Sequence, residues 1–136
     1  MELFECSPAE IDRAWRDGAH RLSEACKWAA REVTPDQLKM LLSRGERTLI
    51  GVRDESGIKG WSAIQVQQLP NIRVLHVFAM AGKGICNTET LRLLNQYAAS
   101  HGCSSLRMAC RPAMVRLLSK LGASPVYQIL DMEVAT

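Results

Sequence analysis

Apolar side chains in this chain recur first at the spacing of helices and then, from about residue 48, at the spacing of strands. Leu3 to Cys6 is a short apolar run, followed by Ser7-Pro8-Ala9-Glu10, in which a capping-box spacing and a proline at the first helical position start a helix. Ile11, Ala14, Trp15, Ala19, Leu22, Cys26 and Ala29 fall on one stripe of that helix, opposite Arg13, Asp17, Glu24 and Lys27. Gly18 is its weak point. Thr34-Pro35-Asp36-Gln37 repeats the start signal, Leu38, Leu41 and Leu42 give a second apolar face, and Gly45 stands where a left-handed C-terminal cap belongs.

Strand patterns follow. Thr48 to Arg53 and Ile58 to Gln68, joined by Asp54-Glu55-Ser56-Gly57, predict an antiparallel hairpin. After Pro70-Asn71, Ile72 to Met80 places Val74, Leu75, Val77, Phe78 and Ala79 on both faces, the pattern of a strand inside a sheet covered on both sides. Gly82 and Gly84 end it, and Asn87 or Thr88 caps a helix with Leu91, Leu94 and Ala98 on one side, stopped by Gly102. Leu106, Met108 and Cys110 alternate as a strand, and Pro112 opens a helix with Val115, Leu118 and Leu121 that Gly122 closes. Val126 to Val134 is the last predicted strand. The order β-α-α-β-β-β-α-β-α-β predicts an α/β fold with a mixed central sheet and helices on both faces.

No repeat, linker or low-complexity tract divides the 136 residues, so one domain over 1–136 is expected, and 47% hydrophobic residues can build its core. The net charge of +3, with no basic run longer than a pair, argues against nucleic-acid binding; a patch of Arg107, Arg111, Arg116 and Lys120 is the weakest of the functional readings. Five cysteines (Cys6, Cys26, Cys86, Cys103 and Cys110) show no CxxC pair or zinc-type Cys/His cluster, which predicts reduced, mostly buried thiols and a cytoplasmic setting. No stretch has the length of a membrane span or the pattern of an export signal.

The element order over the whole chain resembles the GNAT N-acetyltransferase superfamily, including small phage-encoded proteins. That family carries Arg or Gln, two residues, Gly, one residue, then Gly or Ala between the fourth strand and its helix; the run here is Ala81-Gly82-Lys83-Gly84-Ile85-Cys86. The resemblance implies that amides of this loop and the following helix end hold the pyrophosphate of acetyl-CoA, with the backbone of Phe78 and Met80 near the thioester. Gly82 and Gly84 fit. Ala81 replaces the Arg or Gln, and Cys86 the final small residue. Reading back from Lys120 and Gly122, Arg111 takes the place of the family's Asn, and Leu118 that of the Tyr that protonates the departing thiolate.

His76, the titratable group inside the central strand, is the candidate base for an amine acceptor. The other reading is a half-buried histidine satisfied by neighbouring hydrogen bonds. Cys86 and Cys110 are read as inert thiols, Glu89 as an acid favourable to the helix dipole, and Trp15 and Trp61 as core or sheet cover, with Trp28 exposed. Two functions stay open: acyl transfer from acetyl-CoA to an amine of a small molecule or protein, and a non-catalytic scaffold that binds a protein partner or a second copy of itself.

Overall fold

The computed structural model describes residues 1–135. The Ser7 amide donates to Glu10 Oε1 at 2.9 Å, and a short 3-10 turn leads into α1 (Ile11–Arg16). Gly18, at φ +135°, breaks the predicted first helix there; a Cβ at that position would lie 3.2 Å from Trp61 Nε1, so the close approach also favours glycine. The stripe then continues as a 3-10 helix, Ala19–Trp28, rather than as the expected α-helix, and still buries Ala19 and Leu22. At α2 (Pro35–Ser43) both halves of the capping box form: Gln37 N–H donates to Thr34 Oγ1 at 3.2 Å and Thr34 N–H to Gln37 Oε1 at 3.0 Å.

The sheet runs in chain order through β1 (Glu2–Cys6), β2 (Thr48–Asp54), β3 (Gly57–Gln68), β4 (Arg73–Ala81) and β5 (Ser105–Met108). Every neighbouring pair is antiparallel except β4 and β5, which are parallel and joined by α3 (Thr88–Ser100). Alternation along β2 sends adjacent residues to opposite cores. Leu49 packs with Ile11, Leu22, Leu38, Leu42 and Trp61 under α1, the 3-10 helix and α2, while Ile50 packs with Ile64, Leu75, Val77 and Leu94 under α3. β4 lies between β3 and β5 and buries Val74, Leu75, Val77 and Ala79, as its two-faced pattern predicted. The fold class is the mixed α/β sheet with helices on both faces that the sequence predicted.

Two expectations are corrected. After α4 (Pro112–Lys120), residues 126–134 form no strand: no other strand pairs with them, and their backbone groups have no ladder to join. Their apolar side chains are exposed, Leu130 at 90%. The cysteines are all free, but of the five only Cys6 is buried; Cys26, Cys86 and Cys103 are half-buried and Cys110 is exposed. Cys26 lies in the 3-10 helix and Cys103 just after α3, each at the edge of a core, while Cys86 and Cys110 are in loops. Among the described residues, no helix is long and apolar enough to cross a membrane.

Candidate functional site

The pairing of β4 changes at one residue. Ala63 faces Ala79 across the β3 ladder and Ile64 faces Val77, so Phe78 is an extra residue with no partner on β3. On the other side, the parallel ladder to β5 ends at Val77 opposite Met108, while β4 continues to Ala81. Past Val77 the two strands are no longer joined, which leaves the backbone of Phe78 to Ala81 facing a gap. Ser62, buried in β3, donates its hydroxyl to the Ala79 carbonyl at 2.9 Å and fastens the bulge from behind. Neither the bulge nor the role of Ser62 is visible in the sequence pattern, which an inserted residue merely shifts by one.

The loop after β4 is shaped by its glycines. Gly82 has φ +137° and Gly84 φ +68°. A Cβ on Gly82 would lie 2.5 Å from the Lys59 carbonyl oxygen and 2.8 Å from Gly60 Cα, so the loop crosses β3 at backbone distance; a Cβ on Gly84 would meet nothing within 4 Å. Ile85 turns inward against Val52 and Leu93, and its amide donates to the Gly82 carbonyl at 3.3 Å. Asn87 caps α3, accepting from Thr90 N–H at 2.9 Å and donating to the Gly84 carbonyl at 2.7 Å. Among the described residues, the amides of Lys83, Gly84 and Cys86 donate to no acceptor in the protein. Three free N–H groups beside the positive end of a 13-residue helix make a cradle suited to phosphate oxygens. Next to it, the Thr90 hydroxyl is fully buried with no partner among the described residues.

Of the residues predicted for this site, Phe78, Met80, Ala81, Gly82, Lys83, Gly84 and Cys86 line the gap or the cradle with their backbone. Ile85 contributes only through its main chain, because its side chain is core. A surface groove of about 680 Å³ begins at Thr88, just past the cradle, and runs between α3 and α4 to Lys120 and Leu121. A second hollow of about 380 Å³, by Glu5, Ser7 and Arg47, touches neither His76 nor the loop.

His76 sits on the 3-10-helix side of β4. Its ring lies 4.3 Å from that of Phe78, and the Arg47 guanidinium covers the other aromatic ring at 3.5 Å. Among the described residues, His76 has no hydrogen-bond partner in the protein, contrary to the satisfied reading. Burial, and then the charges of Arg47 and Arg107, hold its pKa below the usual histidine value, with Glu32 opposing weakly. The imidazole is therefore neutral at pH 7, with a free lone pair. Arg47, which the sequence did not single out, is itself partly desolvated, and no carboxylate lies within 4.0 Å of Arg47 or Arg107 among the described residues.

The remaining family positions behave as structure. Arg111 begins α4 and stacks its guanidinium 4.1 Å over Trp28, which is exposed as expected. Leu118 is core, so nothing at its position can donate a proton. Partial desolvation raises the half-buried Cys86 thiol and, with the neighbouring Cys86, the more exposed Cys110 thiol, leaving both protonated at neutral pH. Glu89 pairs with Arg92 at 2.6 Å.

The five-stranded mixed sheet with helices on both faces matches the fold of solved GNAT acetyltransferases. A ribosomal-protein-alanine N-acetyltransferase from Brucella melitensis biovar Abortus 2308 is similar in structure with a TM-score of 0.69 at 13% identity, over 98% of this chain and 99% of that one. A probable acetyltransferase gives 0.67 at 10% identity, over 100% and 99%. An aminoglycoside acetyltransferase from an uncultured soil metagenomic sample, solved with sisomicin, gives 0.66 at 11% identity, over 99% and 95%. No family model and no curated protein sequence matches the chain.

Proposed function

We propose that residues 1–136 act as one N-acyltransferase domain that moves an acetyl group from acetyl-CoA to an amine of a small molecule or protein. The observation that carries this reading is the free-amide cradle of Lys83, Gly84 and Cys86 at the N-terminus of α3, placed at the mouth of the gap beyond Val77. These amides suit the pyrophosphate, and the backbone freed at the Phe78 bulge suits the thioester carbonyl.

Acetyl-CoA supplies the activated acyl carbon. His76 takes the proton as the acceptor nitrogen forms its bond to that carbon and the carbon–sulfur bond breaks. Burial, helped by the charges of Arg47 and Arg107, keeps the imidazole neutral and ready for this step. With Leu118 in the core, the departing thiolate takes its proton from water. The same two arginines have no carboxylate partner among the described residues and disfavour a polycationic acceptor. They favour an amine that also carries an anionic group.

The test is thermal unfolding with and without acetyl-CoA. Ligand at 100 times its dissociation constant adds about 2.7 kcal/mol to stability. A rise in melting temperature that Gly84→Val abolishes supports the reading, because Gly84 borders open space and a larger side chain there obstructs the ligand rather than the core. No rise at millimolar ligand overturns it. The buried Leu118 favours a second reading, a scaffold that does no chemistry, and a melting shift without any acetyl transfer to amines would select that one.

A further inference from the structure

A row of polar side chains crosses the sheet at the level of His76. The ladders pair His76 with Arg107 of β5 on one side and with Gln65 of β3 on the other. β2 begins with Thr48 opposite Ile64, so the same register carried back by one residue sets Arg47 level with Gln65. Paired residues share a face of the sheet. This face is the one that carries Phe78 and Leu49, on the side of α1 and the 3-10 helix. The order Arg47, Gln65, His76, Arg107 therefore puts a cation at each end and the candidate base between them.

Both cations are held in place without being neutralised. Gln65 donates its amide to the Glu46 carbonyl at 2.8 Å and fixes the main chain just before Arg47, whose guanidinium rests 3.5 Å over the Phe78 ring. Among the described residues, no carboxylate lies within 4.0 Å of Arg47 or Arg107; Glu32, whose charge both Arg47 and His76 feel, also stays beyond that distance. Arg47, His76 and Arg107 are each half-buried, so carboxylates brought to the two guanidinium forks form charge-assisted hydrogen bonds in a site partly shielded from water.

The spacing of the row selects what can meet both. Neighbouring strands lie about 4.8 Å apart, so the backbone of Arg107 is about 5 Å from that of His76 on one side and the backbone of Arg47 about 10 Å away on the other. A small amine with one anionic group reaches one arginine, and the amine at the start of a peptide has chain on one side only. A lysine in the interior of an extended peptide has flanks on both sides. Residues two positions away point to the same face as the lysine and stand about 7 Å from it, within the span of the two forks. On the acyl-transfer reading, on which this inference rests, we propose that the acceptor is the side-chain amine of a lysine inside an extended peptide, with Asp or Glu two positions away on each side. Arg47 and Arg107 take the carboxylates, and the lysine nitrogen lies against His76.

The test is acetyl transfer from acetyl-CoA to short synthetic peptides, followed by mass spectrometry. One lysine is flanked two positions away by Glu on both sides, on one side, or by Gln or Lys on both; spermidine and free glycine complete the set. The expected result is a loss of about tenfold in kcat/KM for each Glu replaced by Gln, carried by KM because the flanks bind substrate and transition state alike. Arg47→Gln makes one of the two flanking acids irrelevant. Arg107→Glu shifts the preference toward a peptide with Lys on that flank, a gain that a misfolded variant cannot produce. Equal transfer to the Gln-flanked peptide, spermidine or glycine, or an unchanged preference in Arg107→Glu, overturns this proposal and leaves acyl transfer standing. No transfer to any acceptor overturns both.

Discussion

The two glycines of the loop after β4 respond to a methyl group in opposite ways. In Gly82→Ala the new Cβ lies 2.5 Å from the Lys59 carbonyl oxygen and 2.8 Å from Gly60 Cα, both main-chain atoms of β3 that no rotamer change removes. The residue is also held at φ +137°, which an alanine resists by about 1–3 kcal/mol. Relief requires the loop to lift off β3 and pull on the rung between Trp61 and Ala81. Strain and displacement together are expected to cost about 3 kcal/mol. In Gly84→Ala the Cβ enters open space at φ +68°, an ordinary left-handed conformation, and the cost is about 1 kcal/mol. Urea denaturation of both variants against the parent protein measures the difference as a shift in midpoint at constant slope. If Gly82→Ala is no more destabilising than Gly84→Ala, the close crossing of loop and β3 is not what selects glycine, and the reasoning fails.

Three other outcomes follow from individual contacts. Ser62→Ala removes the hydroxyl that holds the Ala79 carbonyl and is expected to lower stability by about 1 kcal/mol; a neutral result in the same denaturation assay would mean that the bulge does not depend on it. Thr90→Val replaces a buried hydroxyl that has no partner and is expected to be neutral or stabilising by about 1 kcal/mol, so a clear loss would reveal an acceptor hidden at that point. Burial sets the His76 pKa below its unfolded value, so the neutral ring favours the folded state above that unfolded value, and this contribution is lost as pH falls through the lower folded pKa. His76→Gln should therefore flatten the decline in stability below about pH 6.5, and an unchanged pH profile would contradict the desolvated position assigned to the ring.

Most of the architecture was legible because the signals that set it are local. Prolines and capping residues at Ser7 and Thr34 start helices, Gly45 and Gly102 end them in left-handed turns, and alternation at Leu49 and Ile50 divides a strand between two cores. The site was legible only in part. Gly82 and Gly84 announced the loop, but the bulge at Phe78 depends on register against β3, which no single strand encodes. Arg47 reaches Phe78 from the start of another strand, a contact that exists only once the sheet is assembled. The expected final strand failed for a related reason: residues 126–134 have the composition of a strand, whereas pairing is a property of two segments.

The short ladder between β4 and β5 bears on how the molecule opens. Four rungs, Val74–Ser105 to Val77–Met108, join β5 to the rest of the sheet, every residue of β5 is only half-buried, and α4 sends a single fully buried side chain, Leu118, into the interior. Residues 105–135 therefore form the least anchored part of the chain, and their amides should exchange with solvent through partial openings well before β2 and β3 release theirs. Since β5 is one wall of the gap beyond Val77, the same breathing that exposes those amides also sets how wide that gap stands.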